Sequence, residues 1–229
     1  MRIAGFQKLT LLDFPGKVAA TLFSPGCNFR CPFCHNASLV LTPGETPLFG
    51  EDEVLSYLKK RQGILEGVCI TGGEPTLQPD LGEFIRKLKS IGYAVKLDTN
   101  GTLPEKLFPL LDEGLLDYVA MDIKSSPENY EKAAGVPVDL RKLETTVRRL
   151  IEGDLPFEFR TTVVKGLHTK EDFARIGKFI EGAPNWYLQS YVDSGDVIDP
   201  IFSAFSKEEC EVFLEEVRPF VKNCALRGI

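Results

Sequence analysis

Three cysteines stand within eight residues in the stretch "SPGCNFRCPFCHN" (24–36): Cys27, Cys31 and Cys34. In a reducing compartment, clustered cysteines bind metal or react more often than they pair as disulfides. Iron–sulfur clusters are usually held by four thiolates, and this set is one short. Three thiolates on a [4Fe–4S] cube leave one iron open. Catalytic metal sites keep an open position, whereas structural sites close it. Structural zinc with His35 as fourth ligand is an alternative. However, His35 directly follows Cys34, adjacent residues seldom converge on one tetrahedral ion, and zinc motifs favour cysteine pairs split by a longer loop. The other cysteines, Cys69, Cys210 and Cys224, are scattered and read as small buried hydrophobes. Cys69 lies within a strand pattern, below its end, where reach to the cube is difficult. Cys210 and Cys224 stay open as a fourth ligand, which would make the protein an electron carrier.

Other polar residues recur where apolar runs end. They are "TGGEP" (71–75), "LDTNG" (97–101), "MDIK" (121–124), Arg160 and Thr162 in "PFEFRTTVV", and Gln189, Tyr191 and Asp193. The runs themselves predict strands over 17–24, 67–73, 93–101, 117–124, 156–164 and 185–192. Helical spacing predicts helices over 51–63, 79–92, 103–115, 139–153, 169–182 and 206–221, the last closing the chain. Asp80 is expected as an N-cap and Gly92 as a stop. Thr169 with Asp172, and Ser206 with Glu209, spell capping boxes. Six strand–helix units with a period of about 30 residues point to parallel βα units with right-handed crossovers. A doubly wound sheet and an incomplete barrel both fit this periodicity. In either, ligands bind at the carboxyl ends of the strands, where the polar residues fall. With no linker or low-complexity segment, a single domain over 1–229 is expected.

Each polar residue also has a plainer reading. Asp98 and Asn100 suit a turn. Asp122 and Lys124, two apart on a strand, share a face and could be a solvated pair. Glu74 could brace its loop, and Phe33 could plug the core. His168, in "GLHT", reads as an incidental loop histidine rather than a proton shuttle.

The 229 residues carry a net charge of −6 and 43% hydrophobic residues. This is the composition of a globule with a full core, and it argues against a general nucleic-acid binder, which needs a basic footprint. No apolar run approaches the roughly 20 residues of a membrane span. The start, "MRIAGFQKLT", lacks the apolar stretch and cleavage site of a signal peptide. A cytoplasmic location without membrane attachment is therefore expected.

The C-x3-C-x2-C spacing, with an aromatic before the third cysteine and a GGE motif downstream, resembles the radical S-adenosylmethionine (SAM) superfamily. Within it, "LTLLDFPGKVAATLFSPGCNFRCPFCHN" and the LDTNG turn are similar to glycyl-radical-enzyme activases. The resemblance implies an α/β fold: a partial (β/α)6 TIM-like barrel, core about 17–192, with an N-terminal extension and a C-terminal helix. Its lateral gap would admit a macromolecular substrate. The resemblance also implies one [4Fe–4S] cluster on Cys27, Cys31 and Cys34, with the SAM amino and carboxylate groups on the open iron. Phe33 would pack on adenine, with the His35 backbone nearby. Gly73, beside Glu74, would approach the SAM ammonium. Asp98, in the turn with Asn100, would face the methionine moiety. Asp122 and Lys124 would hold the ribose and carboxylate region, and Thr162 would meet adenine. One departure is Val192, where some activases have a histidine. The implied reaction is reductive cleavage of SAM to a 5′-deoxyadenosyl radical that installs a glycyl radical on a partner enzyme. The partner implied is the anaerobic ribonucleoside-triphosphate reductase, with no role for nucleic acid. The remaining cysteines form no second ferredoxin-like set, so the electron is expected from flavodoxin or ferredoxin. A small-molecule radical SAM enzyme, of the deazapurine synthase kind, is the rival. In that case "VDSGDVIDPIFSAFSKEE" (192–209) would close the gap.

Overall fold

A computed structural model describes residues 1–228. Eight strands follow one another in chain order, β1 to β8, in a sheet. The chain divides into two compact bodies. The first comprises Met1–Asn28, Ser38–Thr99 and Glu105–Val119; the second comprises Phe29–Ala37, Asn100–Pro104 and the chain from Ala120 onward.

In the first body, β1 (Gly5–Thr10) runs antiparallel to β2 (Ala19–Ser24). Strand β2 is parallel to β3 (Gly67–Gly72), and β3 is parallel to β4 (Ala94–Thr99). The three parallel strands are almost wholly buried, as sheets covered on both faces require. A short helix α1 (Ala37–Leu41) follows the cysteine loop. Helix α2 (Glu51–Lys60) opens with Glu51, Asp52 and Glu53 and closes with Lys59 and Lys60, which matches its dipole. Helix α3 (Leu81–Ser90) buries Leu81, Phe84, Ile85 and Leu88, one stripe at helical spacing. Asp80 stands at its N-cap position but makes no side-chain capping bond there. Gly92, at φ 91°, ends the turn after it. Helix α4 (Pro104–Asp112) begins on its proline, whose missing N–H costs nothing in a first turn.

Strand β5 (Tyr118–Asp122) runs from one body into the other. In the second body β6 (Phe157–Val163), β7 (Asn185–Ser190) and β8 (Asn223–Arg227) lie parallel and in register. Helices α5 (Tyr130–Ala134), α6 (Leu140–Glu152), α7 (Lys170–Phe179) and α8 (Lys207–Val217) complete it. Both expected capping boxes form, at Thr169/Asp172 and Ser206/Glu209. Each satisfies two helix N–H donors, a contribution of about 1 kcal/mol. Phe173 of α7 stacks on Phe213 of α8 with ring centroids 4.3 Å apart.

The six expected strands are β2 to β7, and the six expected helices are α2, α3, α4, α6, α7 and α8. The expected last helix does not close the chain, because β8 follows it. Strand β8 is a five-residue segment whose residues are exposed or half-buried, so its sequence carries no apolar run. Strand β1 is likewise polar and exposed over its middle, as an edge strand is. Among the described residues no helix is long and apolar enough to cross a membrane.

Candidate active site

In the first body the site-bearing loops leave the carboxyl ends of β2, β3 and β4. The GGE loop is laced to the segment before Cys27. Gly73 N–H donates to Ser24 O at 2.8 Å, Glu74 N–H donates to Gly26 O at 2.8 Å, and Gln78 Nε2 donates to Pro25 O at 3.0 Å. The approach is so close that a Cβ on Gly73 would stand 2.0 Å from Gly26 O. Gly73→Ala is therefore expected to push the two loops apart and to weaken SAM binding about tenfold or more, a factor of ten corresponding to about 1.4 kcal/mol. Gly92→Ala, at a positive φ that strains the new residue locally but with nothing within 4 Å of the added carbon, is the control that leaves affinity unchanged. Equilibrium dialysis against SAM checks both.

Glu74 is fully buried. Its Oε1 accepts from Thr76 N–H at 3.0 Å, Thr76 Oγ1 at 2.5 Å and Thr99 Oγ1 at 2.8 Å. The plainer reading of Glu74 thus has direct geometric support: it ties the GGE loop to the end of β4. Asp98, also buried, pairs with the ammonium of Lys96 on the same strand face.

In the second body Cys31 is buried and Cys34 is half-buried; Cys34 N–H closes a turn onto Cys31 O at 2.9 Å. A strap after β7 hydrogen-bonds along this loop. Asp199 N–H donates to Pro32 O (2.8 Å), Ile198 N–H to Cys34 O (3.3 Å) and Ser194 Oγ to His35 O (3.3 Å). Ala37 N–H in turn donates to Asp196 O (3.1 Å). The segment 192–199 therefore fixes the backbone of the cysteine loop, including the His35 carbonyl. His35 is solvent-exposed at its surface, and partial desolvation by its crowded loop together with the Lys124 charge holds its imidazole below its ordinary pKa, against the pull of Asp122.

Asp122 ends β5, and its two oxygens face different cations. Oδ1 accepts from Arg160 Nε at 2.9 Å and Oδ2 from Lys124 Nζ at 3.0 Å. Burial works to raise this carboxyl, but Arg160 and Lys124 outweigh it and hold it well below the usual carboxylate range. Burial likewise works to lower Lys124, and Asp122 and Cys31 together hold it above the usual lysine value. The sequence places Arg160 among the polar residues of the rim but gives it no partner; its partnership with Asp122 is a product of β5–β6 pairing, in which Ile123 N–H donates to Arg160 O at 2.8 Å.

Thr162 pairs in register with Gln189 of β7 and is half-buried. Asn100 turns back on the chain: its Oδ1 accepts from Thr102 N–H at 3.0 Å and Thr102 Oγ1 at 2.7 Å, which is the work of a turn former.

His168 has both ring nitrogens engaged. Nδ1 accepts from Val164 N–H at 3.1 Å, which leaves Nε2–H to donate to Lys124 O at 2.8 Å. The ring is buried and meets Phe33 edge-on, with centroids 6.4 Å apart. The ring thus braces the Lys124 backbone and backs Phe33. Burial depresses its pKa below 6.5. The unfolded chain therefore binds the proton more readily, and the stability His168 contributes is present above about pH 6.5 and lost as pH falls below it. The thermal midpoint is expected to drop between about pH 7.5 and pH 5.5, and His168→Asn to flatten that slope. Calorimetry across the range checks it.

Among the described residues of the second body, two hydroxyls are buried without a hydrogen-bond partner: Ser125 Oγ, just past β5, and Tyr191 Oη, just past β7. Native folds seldom leave such groups unmet. SAM, with ribose hydroxyls, ring nitrogens and an amino-carboxylate, supplies atoms that fit them. Tyr191→Phe deletes one orphan. It is expected to raise the thermal midpoint by about 2–4 °C, yet weaken SAM binding about tenfold. Thermal melts with and without SAM check both signs. Among the described residues no three metal-binding side chains surround a common point. The case for a cluster therefore rests on the thiolate chemistry of the motif and on kinship.

That kinship is plain. The model of the radical SAM superfamily matches residues 21–180, and the chain belongs to that superfamily. The structure of SuiB from Streptococcus suis bound to S-adenosylmethionine shares its fold, with a TM-score of 0.70 at 15% identity, covering 90% of this chain and 49% of that one. A glycyl-radical enzyme activating enzyme of Methanocaldococcus jannaschii is 29% identical over 239 residues, covering 99% of this chain and 96% of that one. A GTP 3′,8-cyclase of Saccharolobus islandicus is 31% identical over 162 residues, which span 69% of this chain and half of the cyclase. The protein is an α/β enzyme with the partial TIM-like fold of radical SAM enzymes, and its cofactors are a [4Fe–4S] cluster and SAM.

Proposed function

We propose that this enzyme is a glycyl-radical-enzyme activase. It acts in the cytoplasm as one catalytic domain with its core over about 17–192, and its partner is an anaerobic ribonucleoside-triphosphate reductase. The observation that carries the reading is the end-to-end similarity to the Methanocaldococcus activating enzyme, 99% of one chain against 96% of the other.

In this reading Cys27, Cys31 and Cys34 hold the cluster. Bound there and reduced by flavodoxin or ferredoxin, the cluster would supply the one electron for reductive cleavage of SAM, and the chemistry delivered to the partner would be hydrogen-atom abstraction from a glycine Cα. The residues of the chain bind and orient. Lys124 and Asp122, locked together with Arg160, meet the ribose and carboxylate region. Phe33, backed by His168, lies against adenine, with the His35 carbonyl fixed by Ser194 and Thr162 on β6. Gly73 presents its backbone to the SAM ammonium, and Glu74 keeps that loop in shape through Thr76 and Thr99. Asp98 faces the methionine moiety, and Asn100 sets the turn beyond it.

The test is anaerobic incubation of the reconstituted enzyme with SAM, a reductant and the candidate reductase, read by electron paramagnetic resonance. A glycyl doublet on the reductase, with one methionine released per radical, is the expected result. SAM cleavage with no glycyl radical on any co-encoded reductase overturns the reading in favour of a small-molecule radical SAM enzyme.

A further inference from the structure

Parallel strands in βα folds fill their shared faces with branched apolar side chains. One layer of the first body departs from this. Thr21 of β2, Cys69 of β3 and Lys96 of β4 are register partners in turn, and none is more than 1% exposed. Lys96 Nζ lies 3.6 Å from Cys69 Sγ and forms an ion pair with Asp98 Oδ1; Cys69 Sγ stands 3.7 Å from the same oxygen. Lys96 and Asp98 are two apart on β4, so both project from the face opposite Val95 and Leu97.

A lysine is among the side chains least often buried, and withdrawing an ammonium and a carboxylate from water is expensive. Well-packed apolar residues at such positions are commonly as stable or more so. Stability therefore gives no reason for Lys96. Its placement does: Asp98 is one residue from the carboxyl end of β4, the end at which ligands bind, and Lys96 lies directly beneath it.

We propose that Lys96 is a positioning residue of the SAM site. Its ammonium fixes the Asp98 carboxylate by one oxygen and cancels its charge. The amino-acid end of SAM, which carries both an ammonium and a carboxylate, then meets a wall that is oriented yet neutral overall. The Cys69 thiol, on the same oxygen, limits the rotation of the carboxylate. The inference rests on the reading that Asp98 faces the methionine moiety, and it adds that Lys96 acts through Asp98 without touching SAM.

The experiment measures SAM affinity by equilibrium dialysis on anaerobically reconstituted protein. Cluster content is verified first, and each variant is kept well below its thermal midpoint. Lys96→Met and Asp98→Asn are each expected to bind SAM about tenfold or more weakly. The double variant is expected to be no weaker than Asp98→Asn alone, the non-additivity of residues acting in one chain of contacts. Wild-type affinity in Lys96→Met beside a weakened Asp98→Asn overturns the inference while leaving Asp98 in the site. Wild-type affinity in Asp98→Asn removes Asp98 from the site and the inference with it. A double variant about tenfold weaker than Asp98→Asn shows that Lys96 meets SAM directly, which also overturns it. If Lys96→Met does not fold, Lys96→Leu takes its place under the same criteria, since it too removes the ammonium and offers Asp98 no donor.

Discussion

Cys31→Ala is expected to strip the enzyme of its cluster and, with it, of all SAM cleavage above a protein-free control. Three thiolates are already the smallest set that holds a cube with one open iron, so there is no spare ligand to absorb a loss. Of the three, Cys31 is the buried one, and it is the one whose charge is felt by Lys124. The other cysteines are poor substitutes. Cys210 lies fully buried on α8, where burial and then Glu209 push its thiol up to about 11, so at neutral pH it is a protonated hydrophobe. Cys224 sits in β8 with Sγ 3.9 Å from Leu214 O, and burial raises its pKa as well. Alanine at 69, 210 or 224 should therefore leave iron content and the reduced-cluster resonance unchanged. Iron analysis and electron paramagnetic resonance of the four variants decide the matter. A cluster retained in Cys31→Ala, or lost in Cys210→Ala or Cys224→Ala, would mean that the open corner has been misassigned.

What could be read from the chain before its structure follows a physical divide. Elements that bury a continuous stripe announce themselves, and so β2 to β7 and their helices were legible within a few residues. Strands β1 and β8 bury too little to leave a period, and α1 and α5, each burying three of five residues, are too short to show one. Local chemistry was equally plain: the spacing of the cysteines, and Asp122 with Lys124 two residues apart on one face. Contacts made by pairing of distant segments were not. Arg160 reaches Asp122 across 38 residues, and Ser194 reaches the His35 carbonyl across 159. Nothing in "GLHT" says that both nitrogens of His168 are consumed. Nothing around Lys96 says that its ammonium is buried, because "YAVKLDTNG" alternates as an ordinary half-exposed strand would. Glu74 and Asn100 show the converse, since their turn chemistry in the sequence is the chemistry they perform.

Asp122→Asn should be the most damaging change that leaves side-chain volume intact. The carboxylate gives one oxygen to Arg160 and the other to Lys124, at 2.9 and 3.0 Å. The amide keeps one acceptor and turns an NH2 toward the second cation, so two neighbouring positive charges lose the anion that separates them. Breaking a fully buried pair by removing one partner costs about 3–5 kcal/mol. With the Asp122 side chain 29% exposed, solvent screening brings this to about 2–4 kcal/mol. For a chain of this size that is a fall in thermal midpoint of roughly 4–16 °C. SAM affinity should drop about tenfold or more as Lys124 loses its anchor, a factor of ten corresponding to about 1.4 kcal/mol. The pH dependence separates this from a general packing defect. Asp122 titrates in the folded protein below its ordinary value of 3.8, so its stabilisation is complete above about pH 4–5 and fades as pH falls through the folded pKa. The gap in midpoint between the parent and Asp122→Asn should therefore be widest near neutrality and narrow as the pH is lowered toward about 3. A gap that does not change with pH would show that the lost stability comes from packing and not from the carboxylate charge held between Arg160 and Lys124.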